Sequence, residues 1–186
     1  MVTYHLRTAA EGKYREYHVP KTKRLLSGLR SFEVTAAVAA GGIVMWRIVP
    51  GPWNGEEAAA MYSDLGACLE KANGRKSSYR VVEDGDRKGY HSTKGKVAKQ
   101  AASIISWKLP PRTPQWMPLD FCIWHEIEKR VLVKNVRGHE SFEAYVRRVR
   151  SVAMKLPASL VDKCLASMKS RIQAVIDTKG KATVCE

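Results

Sequence analysis

The chain has no run of 18 or more apolar residues, so no membrane-spanning helix is expected. Its first residues, Met1-Val2-Thr3-Tyr4-His5-Leu6-Arg7, contain no apolar stretch of the kind a secretory signal needs, and an intracellular protein is expected. Four cysteines, Cys68, Cys122, Cys164 and Cys185, stand far apart without a CxxC pair. Spacing alone therefore supports neither a disulfide framework nor a zinc site, and reduced thiols are expected. No GxSxG, P-loop, HExxH or GxGxxG run occurs, which leaves acyl transfer, nucleotide hydrolysis and zinc proteolysis without support. Acids are scarce as well. Against 32 Lys+Arg there are 18 Asp+Glu, a net charge of +14, and no aspartate precedes Asp64.

What is present is a globular composition, 45% hydrophobic and 27% charged, over 186 residues. That is one domain, or one with a helical appendage. The positive charge lies in several clusters rather than on one amphipathic helix, which favours a polyphosphate backbone over a membrane surface.

Residues 1–30 are basic and irregular and read as an arm, with a short strand at Tyr14–Val19. Phe32–Val38 and Ile43–Val49 are apolar runs around Ala40-Gly41-Gly42, the pattern of a β-hairpin. Asn54, followed by Glu56 and Glu57, caps a helix with Ala58, Met61, Tyr62, Leu65 and Leu69 at helical spacing, ending near Asn73-Gly74. A strand at Ser78–Val82, a basic helix at Lys94–Ser103 and a strand at Ile104–Leu109 follow. Pro110, Pro111, Pro114 and Pro118 stiffen the next loop. Helices are expected at about Asp120–Val133, Phe142–Met154 and Ala158–Asp177. The order describes an α/β core under a helical C-terminal layer.

Two aspartates stand where chemistry is built. Asp84 follows a strand, at the sheet edge where α/β sites form. Asp120 opens a helix thirty-six positions further on. Converging carboxylates are the hard oxygen donors that Mg²⁺ takes. On spacing alone, a turn aspartate and a helix-capping aspartate are the better account of the pair, since two aspartates are a weak signal. The basic stretch Arg87, Lys88, Lys94, Lys96, Lys99, Lys108 and Arg112 contains no acid and joins the two aspartates. It reads either as a phosphate grip or as a solvated helix face. Trp107 and Trp116 read as sheet core or as base-stacking residues, His91 as surface, and His125 as surface or neighbour to Asp120. Arg147, Arg148 and Arg150 form a second basic cluster on a helix.

At these residues the sequence resembles a family. Val82-Glu83-Asp84-Gly85-Asp86 through Gly89, Ser92 and Gly95, with Ala98-Lys99 after it, is similar to the second-acid motif of protist-type DDE transposases of the mariner-like superfamily. Leu109-Pro110-Pro111-Arg112-Thr113-Pro114 through Asp120-Phe121-Cys122-Ile123-Trp124 resembles the third-acid motif. Val44-Met45-Trp46 and Trp53-Asn54-Gly55 resemble the segment upstream, and Met168-Lys169-Ser170-Arg171 fits the helical tail. The resemblance covers roughly residues 30–180.

It implies an RNase H-like fold with a mixed sheet, in which three carboxylates hold two Mg²⁺ or Mn²⁺ ions for DNA cleavage and strand transfer. Asp84 and Asp120 would be the second and third acids, catalytic and metal-binding. Arg87, Lys88, Lys94, Lys96, Lys99 and Arg112 would bind DNA. The partners would be transposon ends and target DNA, in the nucleus, with a homodimer compatible with the family. No recognisable first acid occurs: Glu11, Glu16 and Glu33 lie in no such motif. The expectation is therefore a partial catalytic core at residues 31–134, truncated at its first strand and preceded by an arm at 1–30, with C-terminal helices at 135–186. Gly85, Arg87, Thr113 and Gln115 replace the family's usual residues. A non-catalytic or domesticated DNA-binding remnant is the alternative to an enzyme, and an RNA-binding protein of the same fold is a third reading.

Overall fold

In a computed structural model, residues 4–7, 31–74, 77–83, 88–109, 113–133 and 140–178 are described. Five strands and five α-helices follow one another as β1 (Tyr4–Arg7), β2 (Ser31–Ala39), β3 (Gly42–Val49), α1 (Gly55–Asn73), β4 (Tyr79–Glu83), α2 (Thr93–Ala101), β5 (Ile104–Lys108), α3 (Trp124–Val133), α4 (Phe142–Met154) and α5 (Ala158–Asp177). A short 3-10 turn at Pro114–Trp116 and a π-helical turn at Leu119–Ile123 lead into α3. No described helix is long and apolar enough to cross a membrane.

The expected hairpin forms. β2 and β3 are antiparallel, with Ala39 opposite Gly42, so Ala40-Gly41 make a two-residue turn. Gly41 has φ 89°, a left-handed conformation that glycine adopts without the clash a Cβ would bring. Its N–H donates to Asp162 Oδ1 at 2.8 Å, which ties the hairpin tip to α5. α1 starts where expected: the Asn54 side chain accepts from the N–H groups of Glu56 and Glu57, and Gly74 closes the helix at φ 67°. Its buried residues Ala58, Met61, Tyr62, Leu65 and Gly66 form one stripe.

A bare edge is expected on β2, where a first strand would be missing. Instead Tyr4–Arg7, inside the stretch read as an irregular arm, pairs antiparallel with β2 from Tyr4 opposite Val34 to Arg7 opposite Ser31. Tyr4 and Leu6 alternate with His5 and Arg7, the period of a strand, but four residues are too few for that period to stand out. The strand expected at Tyr14–Val19 lies outside the described residues. Pairing is mixed, as expected, but among the described residues it is split between an antiparallel β1-β2-β3 sheet and a parallel β4-β5 pair.

α1 and α2 pack against each other at Gly66, and a Cβ built there would lie 2.9 Å from Ala102 Cβ. Phe32 of β2 makes edge-to-face contacts with Phe142 and Tyr145 of α4, at centroid distances of 6.0 and 6.1 Å. Replacing Gly66 by Val should force α1 and α2 apart and destabilise the fold by about 1–3 kcal/mol, the usual cost of overpacking. A Gly51→Ala change, where a Cβ meets nothing within 4 Å, should leave the denaturation midpoint unchanged.

Candidate functional site

β4 and β5 are parallel, paired from Tyr79–Ile104 to Glu83–Lys108, so their C-terminal ends leave the sheet at one edge. Asp84 directly follows Glu83, and the chain leaving β5 runs through the proline-rich loop to Asp120. Asp84, Arg87 and Arg112 themselves lie outside the described residues.

Asp120 is half-buried on the π-helical turn at Leu119–Ile123 and not in a regular α-helix, and its N–H donates to the Met117 carbonyl at 2.8 Å. Such turns shift side chains out of α-helical register and recur at functional sites. Three contacts hold this turn. Trp124, at its end, meets Trp46 of β3 edge-on at 5.9 Å. The Arg171 guanidinium lies 4.0 Å above the Phe121 ring. Cys122 forms a disulfide with Cys164 of α5, Cα–Cα 6.3 Å. That bond corrects the expectation of reduced, unpaired thiols: forty-two residues of sequence hide a pair that α5 folds back to form. Cys68 is a free cysteine.

Residues 89–95 are packed tightly. A Cβ on Gly89 would lie 2.2 Å from the Trp53 indole nitrogen. Tyr90, 1% exposed, stacks edge-on against Trp53 at 5.0 Å and Tyr62 at 6.2 Å. Ser92 caps α2: its Oγ accepts from Gly95 N–H at 3.0 Å and donates to the Gly89 carbonyl at 2.7 Å. A Cβ on Gly95 would strike that carbonyl at 2.7 Å. Gly89, Ser92 and Gly95 of the second-acid motif thus serve packing and capping.

The basic stretch divides. Lys88 and Lys96 are exposed. Lys94 is exposed and pairs with Glu56, whose carboxyl the Lys94 hydrogen bond and charge hold below the usual range. Lys99 corrects the expectation of a DNA contact. It sits on the inward face of α2, one turn after buried Gly95, and its ammonium pairs with Glu83, which is 0% exposed. Tyr62 O–H donates to the same Glu83 carboxylate, and the Lys99 ammonium lies 4.9 Å from the Tyr62 ring centroid. Sequence reading missed this cluster, whose signal was an acid ending an apolar strand.

Arg147 and Arg150 of α4 are exposed, but Arg148 is not available to a ligand. It donates to both carboxylate oxygens of Glu140 at 2.8 and 2.6 Å, and to the Val131 carbonyl at 2.7 Å. On β3, burial opposes the Arg47 charge, but hydrogen bonds and attraction from Glu57 and Asp64 together hold its pKa above the usual arginine range. Trp107 is 57% exposed, so it is not core; Arg80 lies 5.8 Å from its ring centroid, and exposed Ile105 shares its strand face. Trp116 is half-buried, His91 half-buried and His125 exposed.

Among the described residues no three His, Cys, Asp or Glu side chains gather as a metal site. Asp120 and Asp84 would supply hard carboxylate oxygens, donors suited to a divalent cation that keeps water ligands. β1 has no acid in Tyr4-His5-Leu6-Arg7.

No family model matches the chain. Over 110 residues, 57% of its length, it is 30% identical to the Transposable element Tcb1 transposase of Caenorhabditis briggsae, of which it covers 37%. The catalytic domain of Mos1 mariner transposase superposes with a TM-score of 0.71 at 9% identity, covering 83% of this chain and 76% of that one. Structures of that domain with raltegravir and Mn or Mg superpose equally, at 0.71. A Mos1 paired-end complex with the left transposon end gives 0.75 at 10% identity, over 96% of this chain and 54% of that one. The chain therefore has the RNase H-like fold of a mariner-like transposase catalytic domain and is similar in sequence to a transposase of which it spans just over a third.

The disulfide behind Asp120 should be visible in stability. In oxidising buffer Cys164→Ser should cost about 2–4 kcal/mol of unfolding free energy, the range for a native crosslink closing a loop of this length. In reducing buffer the same substitution should cost well under half as much, as read by urea denaturation.

Proposed function

We propose that the chain acts on DNA as part of a DDE-type transposase catalytic unit, with Asp84 and Asp120 as its metal-binding carboxylates. The observation that carries the reading is the parallel β4–β5 register. It delivers both chain exits to one sheet edge, in a fold shared with the Mos1 catalytic domain. Likeness to structures with Mn, Mg and transposon-end DNA supports the metal and the substrate class.

Asp84 and Asp120 would hold Mg²⁺ or Mn²⁺, which when bound stabilises the oxygens of an in-line phosphodiester displacement. The chain's own part is to fix Asp120 on a turn braced by Trp46 and Arg171, and to present cations to phosphates. Arg87, Lys88, Lys94, Lys96 and Arg112 would make those contacts, Lys94 at the expense of its Glu56 pair. Trp107, exposed beside Arg80, would stack on an unpaired base near a cleaved end. Two copies would pair two DNA ends, and chromosomal targets would place the protein in the nucleus.

The acid-free β1 favours a second reading, a DNA-binding protein without cleavage. Nicking of supercoiled DNA with Mg²⁺ or Mn²⁺ separates the two. The enzymatic reading expects divalent-dependent nicking that falls at least about 100-fold in Asp84→Ala and in Asp120→Ala. Binding that weakens steeply with salt, without nicking, would establish the second reading. Under either, Trp107→Ala should weaken single-stranded DNA binding by about tenfold, within the roughly 1–3 kcal/mol of one base–aromatic stack. Tighter binding to RNA than to DNA would overturn both.

A further inference from the structure

The most deeply buried charge in the described structure takes no part in the function proposed above. Glu83 is 0% exposed, and the Lys99 side chain is 9% exposed. A carboxylate withdrawn this far from water is tolerated only when it is paired and hydrogen-bonded. Its partners come from two elements that are not neighbours in sequence: Tyr62 from the buried stripe of α1 and Lys99 from the inward face of α2. The ammonium also lies against the Tyr62 ring. Tyr62 in turn abuts Tyr90, which meets Trp53.

We propose that Glu83, Lys99 and Tyr62 are positioning residues that pin the C-terminal end of β4, and so set the metal affinity of the carboxylate edge. The inference rests on the assignment of Asp84 and Asp120 as metal-binding residues. Glu83 is the last residue of β4. Its backbone is held by β5 on one side, and its side chain is locked between α1 and α2. Asp84 is the next residue in the chain, and further on Gly89 and Tyr90 are packed against Trp53 and Tyr62. A shift of about 1 Å in a ligating or reacting group commonly costs two orders of magnitude in function. A buried ion pair suits this task better than an apolar contact. Its geometry is directional, whereas apolar residues of equal volume would stabilise as well or better without fixing a register.

The test uses Mn²⁺ as the probe, with binding read by electron paramagnetic resonance on the full chain, and unfolding measured in parallel. Asp84→Ala comes first: loss of Mn²⁺ binding supports the site assignment, and unchanged binding overturns that assignment and this inference with it. The double variant Glu83→Met with Lys99→Met removes the charges together and keeps the volume. The expected result is a midpoint at or above that of the unmodified chain, with Mn²⁺ affinity at least tenfold weaker. An unaltered Mn²⁺ affinity in the folded double variant would overturn the positioning role while leaving the metal site standing. Should that variant not fold, Tyr62→Phe decides, because it removes one hydroxyl only: affinity reduced about threefold supports the proposal, and unchanged affinity refutes it.

Discussion

Burying the Glu83 carboxylate is the constraint on which the site's architecture turns. Once that charge leaves water it must meet a cation, and Lys99 is the cation the fold supplies. Satisfying it requires α2 to lie with Lys99 inward, α1 to offer the Tyr62 hydroxyl, and β4 to end at one residue. A one-residue slip of β4 would turn Glu83 to the opposite face and leave Lys99 and Tyr62 without it. The charge thus fixes a register that the apolar residues of β4 alone would specify less sharply.

The second-acid motif has a corresponding double meaning. Gly89 lies beneath the Trp53 indole, Gly95 against the Gly89 carbonyl, and Ser92 caps α2 by accepting from Gly95 N–H while donating to that carbonyl. These requirements are steric and belong to any chain in which this turn abuts α1 and α2. The resemblance of the run Glu83–Gly95 to a transposase motif is therefore in large part a resemblance of packing. Only Asp84 in that run is proposed to act chemically, and the metal assignment stands or falls on it rather than on the motif as a whole.

Helices and the hairpin were legible because their signals are local. Asn54 with Glu56 and Glu57, Gly74, and the residues around Gly41 carry capping and turn chemistry that tertiary contacts do not overrule. α4 and α5 have the expected ends, because Ser141 caps one and Pro157 starts the other. What failed to show were facts about pairs. Lys99 looks like Lys94 and Lys96 until α2 is oriented. Arg148 looks like Arg147 until Glu140 is brought to it. Cys122 and Cys164 look isolated until α5 folds back over the π-helical turn. Trp107 sits in an apolar run yet faces outward, because strand alternation puts Ile104 and Ser106, not Trp107, on the more buried face of β5. The turn at Leu119–Ile123 reads as α-helix because its apolar residues continue into α3 without a break in composition.

Charge is partitioned in a way that separates binding from catalysis. Several cations are spent inside the fold: Lys99 on Glu83, Arg47 on Glu57 and Asp64, and Arg148 on Glu140. The Lys99 and Arg148 pairs are each neutral, and the Arg47 cluster holds two acids to one cation, so none of them adds positive field outside. Since they also consume acids, the net +14 is carried by the remaining cations, exposed Lys96, Arg147 and Arg150 among the described ones. Attraction for a polyphosphate comes from that surplus and does not depend on any single residue. Cleavage, by contrast, would depend on very few carboxylates, and the strand beside β2 contributes none. Loss of one acid would therefore remove strand cleavage while leaving nucleic-acid affinity nearly intact. A chain of this kind can retain its fold and its positive surface long after its chemistry has gone, so affinity for DNA alone is no argument that the carboxylate edge still works.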